Sequence, residues 1–229
     1  MSADRAIRRQ HAQALLDGLH PRHRGDWPAA LAERARYSVL GRRHLARSAM
    51  QSVPTVWAPD QERWQTWHEQ EPWLLWPHAR VAAFTRELGA IALGPALRLL
   101  VERDAVLFVR ETLGMDHWRR SQSVNPWREQ APEAVRHMGQ AVLQRCERDA
   151  AALSAAIDER GSIEFLGHAE RAGPALAERL AGAYAIPPPS PCSKECWLPP
   201  HAVAALLRER AAHDRASAVM ASEAEEGAE

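Results

Sequence analysis

PEAVRHMGQAVLQRCERDAAALSAAI, residues 132–157, carries the plainest structural signal in the chain. Val135, Met138, Val142, Cys146, Ala150, Leu153 and Ile157 recur there at spacings of three and four. That is the period of one buried helix face; a half-buried strand would alternate every second residue. The spacing predicts a helix over 132–157, ended by Gly161-Ser162, which would cap a further helix over 163–172.

The same reading extends outward in both directions. The apolar share of the 229 residues is rich in Ala and Leu and poor in β-branched types, which favours helix because Ala and Leu lose little on entering one. Helices are expected over 3–16 and over 28–49, the second entered through Trp27-Pro28 and turning Leu31, Ala35, Val39 and Leu40 inward. Residues 53–59 read as extended, and Asp60 is placed to cap a short helix over 61–70. Further helices are expected over 78–93, 96–101 and 105–113, with a corner at Gly94-Pro95, since Pro lacks an N–H and clashes with the preceding turn. Residues 121–132 read as a loop holding Trp127. Gly173-Pro174 opens a helix to about Tyr184.

No strand ladder and no fixed-period repeat is found. The fold class expected is all-α, a single irregular bundle of about eight to ten helices. Its expected organisation is a helical core over 1–185, a Pro-rich linker over 186–200, a C-terminal helix over 201–220 and a disordered acidic tail over 221–229.

Charge and cysteine usage exclude several classes. Acidic and basic residues balance to a formal net charge of zero, whereas nucleic-acid binding normally needs a basic face. Arginines do gather near the N-terminus (Arg5, Arg8, Arg9, Arg22, Arg24, then Arg34, Arg36, Arg42, Arg43 and Arg47), and on helices such runs usually form a solvated face. Three cysteines, an odd number, argue against a disulfide framework. MSADRAIRRQHAQ lacks the apolar core of a signal peptide. The longest uncharged apolar run is Leu88 to Leu97, about half the roughly twenty residues that a bilayer span requires.

Candidate chemistry is sparse. Cys192, Cys196 and His201 lie close in sequence but supply three ligands where zinc usually takes four, and Cys146 sits on a core face. There is no His-Glu-x-x-His helix, phosphate loop, dinucleotide fingerprint or nucleophile elbow, so neither a cofactor nor a metal is expected. The tryptophans are the more notable feature. Trp57, Trp64, Trp67, Trp73 and Trp76 fall within twenty residues, a cluster suited to a core wall or to interface anchors.

LGAIALGPALRLLVERDAVLFVRETLG, residues 88–114, is apolar and then amphipathic, with Gly94-Pro95-Ala96-Leu97-Arg98 at its corner and Arg110-Glu111-Thr112-Leu113-Gly114 at its end. This order of residues resembles the signature region of the K subunit of the type III secretion sorting platform, the SctK, YscK and OrgA family. The close likeness covers about an eighth of the chain. The resemblance implies a non-enzymatic, cytoplasmic adaptor, peripheral at the cytosolic face of the inner membrane. It would join the cytosolic domain of an SctD-like ring protein to pods built on an SctQ-like protein, without nucleic acid and without direct membrane insertion. The residues expected to face partners are Arg98, Glu102, Arg103 and Arg110, together with Trp64, Trp67, Trp73 and Trp76. The Trp-rich stretch 57–76 and the Pro/Cys stretch 187–200 depart from the family pattern. The competing expectation is a helical small-molecule-binding protein or enzyme whose pocket is lined by Trp64, Trp67, Trp73 and Trp76, with His68 or His78 as its polar group.

Overall fold

The computed structural model describes residues 13–25, 27–52, 71–127, 129–146 and 148–226. Among these residues every regular element is helical, as the composition implies. The helices are α1 (residues 13–18), α2 (Ala29–Arg36), α3 (Val39–Ser52), α4 (His78–Leu97), α5 (Arg103–Leu113), α6 (Met115–Ser123), α7 (Glu133–Cys146), α8 (Ala150–Ala172), α9 (Pro174–Ala181) and α10 (Pro200–Glu226). Three short 3-10 turns, Pro21–Arg24, Pro72–Leu75 and Pro191–Ser193, each begin with proline, whose fixed φ suits a first helical position.

Two helices organise the body. From Leu88 to Leu97 every residue of α4 is buried, and α8 is buried without a break from Arg160 to Ala169. Helices covered on all sides need no amphipathic stripe, and these two form the centre against which α6, α7 and α9 pack. An aromatic chain runs through the core. Trp73 meets Phe165 edge-to-face at 5.0 Å, Phe165 meets Phe84 at 5.2 Å, and Phe84 meets Trp76 at 5.4 Å. A separate small core of Leu16, Leu19, Ala35, Leu45 and Ala49 holds α1, α2 and α3 together.

Several helix boundaries differ from those the sequence predicts. The helix expected over 132–157 is two, because Arg148 takes a left-handed φ of 66° and the Asp149 carboxylate caps α8 by accepting from Ala151 N at 2.9 Å and Ala152 N at 3.1 Å. Gly161-Ser162 does not end a helix; α8 passes straight through. Gly94-Pro95 makes no corner either, since α4 runs on to Leu97. Pro95 lies inside α4 and supplies no N–H to the ladder, yet the helix continues because every residue from Leu88 to Leu97 is held by packing. Residues 115–120, given no element by the sequence reading, open α6, and the loop around the buried Trp127 begins only at 124.

The helix expected over 28–49 is broken at Tyr37-Ser38 into α2 and α3, and Leu31, Val39 and Leu40 point outward, not inward. Gly41 permits this hairpin: a Cβ there would collide with the backbone of Ala35. The Pro-rich segment is no free linker, because Trp197 and Leu198 are buried against α8. Helix α10 extends to Glu226, into the segment expected to be a tail, which accords with the high helix propensity of its Ala and Glu residues. The expected elements over 53–59 and 61–70, and Trp57, Trp64, Trp67 and His68 with them, lie outside the described residues.

Candidate functional site

The corner between α4 and α5 is built by backbone bonds. Arg98 N donates to Gly94 O at 2.9 Å, Leu99 N to Ala96 O at 3.1 Å and Leu100 N to Leu97 O at 3.3 Å, tightening the last turn. Glu102 then adopts an extended conformation and its carbonyl accepts Val106 N at 3.0 Å, which starts α5. The result exposes residues 98, 99 and 101–104, while Leu100 packs against the core. Glu102 and Arg103 are exposed, and Arg110, about two turns along the same face of α5, is half-buried. Arg98 has a structural task, since its Nη1 donates to Ser121 O at 2.7 Å and ties the corner to α6. The sequence reading missed the two apolar residues here. Leu99 is 47 % exposed and Val101 92 % exposed; their one signal was position, just beyond the last buried residue, Leu97.

The described tryptophans are not outward anchors. Trp73 is wholly buried and its Nε1 donates to Glu71 Oε2 at 2.6 Å, while His168 Nε2 meets the same oxygen at 3.1 Å. Trp76 is buried too, with the Arg80 guanidinium 4.2 Å from its ring centroid. Both serve as core wall.

Beside Trp76 a cleft of about 220 Å³ opens among Arg80, Phe84, Glu87, His117 and Arg210. Its base is the nearly inaccessible carboxylate of Glu87, which joins three helices. Arg120 Nε of α6 reaches Glu87 Oε1 at 2.7 Å, and Arg210 of α10 reaches Oε2 through Nε at 2.8 Å and Nη2 at 2.6 Å. Arg120 also grips Glu209 with both terminal nitrogens, at 2.9 and 3.1 Å. Burial works against the charge on Arg120, but the hydrogen bonds to Glu209 and Glu87 outweigh it and hold the guanidinium above its ordinary value. Arg80 moves the other way, lowered by burial and then by the charge of Arg210. Both oxygens of Glu87 are occupied, so the carboxylate is placed as a clamp for α10, not as a base.

The cysteine segment is likewise engaged in packing. Cys196 Sγ lies 3.8 Å from Ile163 O and Cys192 Sγ 3.7 Å from Glu170 Oε2. Among the described residues no group of three or more His, Cys, Asp and Glu side chains is arranged to hold a metal ion. Glu164 on α8 secures this segment by accepting Trp197 N at 2.7 Å and Leu198 N at 3.1 Å while pairing with Arg160 at 2.9 Å. Burial pushes its carboxyl up despite those partners.

No protein-family description, curated protein or solved structure matches the chain. Among the described residues no helix is long and apolar enough to cross a membrane.

Proposed function

We propose that the chain is a non-enzymatic helical adaptor of a type III protein secretion apparatus, linking the sorting-platform pods to the cytosolic face of the inner-membrane ring. Two things support this reading. One is the resemblance of residues 88–114 to the K-subunit signature. The other, which carries it, is that this same stretch folds into an exposed corner with Val101 at its tip and Glu102 and Arg103 beside it. A solvent-facing apolar residue among charged ones, on a backbone held by the Arg98–Ser121 bond, suits an interface anchor with a polar rim. The cleft at Trp76 supports the small-molecule alternative less well. At about 220 Å³ it falls below the roughly 300 Å³ at which ligand pockets usually begin.

The test is capture of the purified cytosolic domain of the SctD-like ring protein, and of the SctQ-like pod protein, by the wild type and by Val101→Asp combined with Arg103→Glu. Both substituted side chains are exposed, so folding should persist and capture should fall at least tenfold for one of the two partners. Failure of the wild type to hold either partner removes the adaptor reading. Capture unaltered by the double variant moves the interface away from the corner.

A further inference from the structure

The hairpin α2–α3 has an outward face that, among the described residues, neither its own small core nor the rest of the body covers. On α3, Gly41, Leu45 and Ala49 follow one another at spacings of four and are buried. Leu40, Arg43, Arg47 and Met50, spaced three, four and three, fall on the opposite side, and all four are exposed. Val39 lies along the same side. The bend between the helices adds Tyr37. Tyr37 is 80 % exposed, Leu40 77 % and Val39 59 %, so the tip is apolar and convex.

Among the described residues, the charge carried by the hairpin is mainly positive. Residues 27–52 hold Arg34, Arg36, Arg42, Arg43 and Arg47 against a single acid, Glu33, which is already paired with Arg36 at 3.1 Å. No carboxylate interrupts the stripe from Leu40 to Met50. In a chain whose total charge is zero, this local excess is a property of the hairpin, not of the composition.

We propose that the α2–α3 hairpin docks on an anionic lipid surface, with Tyr37, Val39 and Leu40 seated in the headgroup layer and the arginines on lipid phosphates. Apolar residues at a convex tip, interleaved with arginine, meet the two requirements of interfacial binding, burial of apolar area and attraction to negative headgroups. An acidic protein surface shares the second requirement only. Tight protein interfaces depend on shape complementarity around a buried centre, and this tip offers no groove to fill. Docking of this kind is peripheral and does not require a spanning helix. It does not depend on the adaptor reading, because it needs no ring or pod protein.

The experiment is co-sedimentation of the full-length protein with vesicles of phosphatidylcholine alone and with vesicles containing about a third phosphatidylglycerol, at low and high salt. The wild type should partition onto the anionic vesicles, release at high salt and ignore the neutral ones. Arg43→Glu with Arg47→Glu should weaken partition about twenty-fivefold or more at low salt, from about fivefold for each arginine near such a surface. Leu40→Ser should weaken it severalfold while leaving the salt dependence intact. Both variants should keep the wild-type helical circular dichroism. Absence of anionic selectivity in the wild type, or folded variants that bind as well as it does, overturns the proposal. So does a lipid-free complex with an acidic protein that the arginine variant abolishes while vesicles go unbound.

Discussion

Gly89 and Gly161 face each other where the two central helices cross. A Cβ on Gly161 would sit 2.9 Å from Gly89 N, and one on Gly89 would sit 3.1 Å from Gly161 N. Each would also collide with a backbone carbonyl across the crossing, Thr85 O for Gly161 and Ile157 O for Gly89. The missing side chains therefore set how closely α4 and α8 approach.

Gly161→Ala should consequently be costly although alanine is the better helix former. The atoms it meets are backbone and cannot rotate aside, so overpacking should remove about 3 kcal/mol. Gly114→Ala is the useful contrast, since nothing lies within 4 Å of that position but its φ of 79° with ψ of 156° is a backbone region essentially reserved for glycine, costing about 1–3 kcal/mol. Urea titration should show both variants destabilised, Gly161→Ala through overpacking and Gly114→Ala through backbone strain alone.

Leu97 is 2 % exposed at the buried end of α4. Leu97→Asp should lose the cooperative thermal transition altogether, because an uncompensated carboxylate in that seam exceeds the roughly 4 kcal/mol of an ordinary severe mutation. A wild-type melting temperature in this variant would contradict the placement of the core. Arg103→Glu, across the corner at the exposed start of α5, should melt with the wild type.

Glu87 clamps α10 to the body. Glu87→Gln keeps the shape and removes the charge that Arg120 and Arg210 share. The arginines are partly solvated and Arg120 retains Glu209, so the loss should be about 2 kcal/mol, below the usual figure for a buried pair. Amide hydrogen exchange should accelerate first in residues 200–213, while α4 and α8 stay protected until global unfolding.

Tyr184 gives the fold an alkaline limit. Its hydroxyl meets Thr85 Oγ1 at 2.9 Å, and burial pushes the phenol from 10.0 up to about 12. The folded form keeps its proton while the unfolded chain loses it. This contribution is therefore complete below pH 10.0 and disappears as pH rises to about 12. Between those limits the stability difference between Tyr184→Phe and the wild type should shift by roughly 2–3 kcal/mol in favour of the variant. Denaturant midpoints across that range check the sign. A parallel displacement of the two curves would mean that the phenol is not perturbed.

The all-helical fold was legible because helix propensity and the three-and-four spacing agree along most of the chain. The boundaries were less so. Glycine was the main source of error: Gly161 read as a stop, yet its function is to admit another backbone, a tertiary demand that leaves no local trace. Pro95 was misread for a related reason, since the packing that buries every residue from Leu88 to Leu97 carries the helix through it. Asp149, by contrast, was a readable cap hidden inside a strong apolar period. Of the candidate partner residues, Glu102 and Arg103 lie in solvent as expected. Trp73 and Trp76 do not, because tryptophan serves a core wall and an interface equally well. The Glu87 clamp joins residues 87, 120, 209 and 210, a spread that no local pattern could connect.

Arg179 is completely buried and donates to Gly18 O at 3.0 Å, Leu74 O at 3.2 Å and Trp76 O at 3.5 Å. With His20 N bonded to Gly182 O at 2.9 Å, this fixes a timetable for biosynthesis. Residues 13–20 leave the ribosome well before these partners, which belong to α9 and the turn after it and are made some 160 positions later. The segment that carries α1 can gather Leu16 and Leu19 onto α2 and α3 early, but its bonds to Arg179 and Gly182 close only once residue 182 has emerged. Protease accessibility of residues 13–20 on the nascent chain should drop at that point.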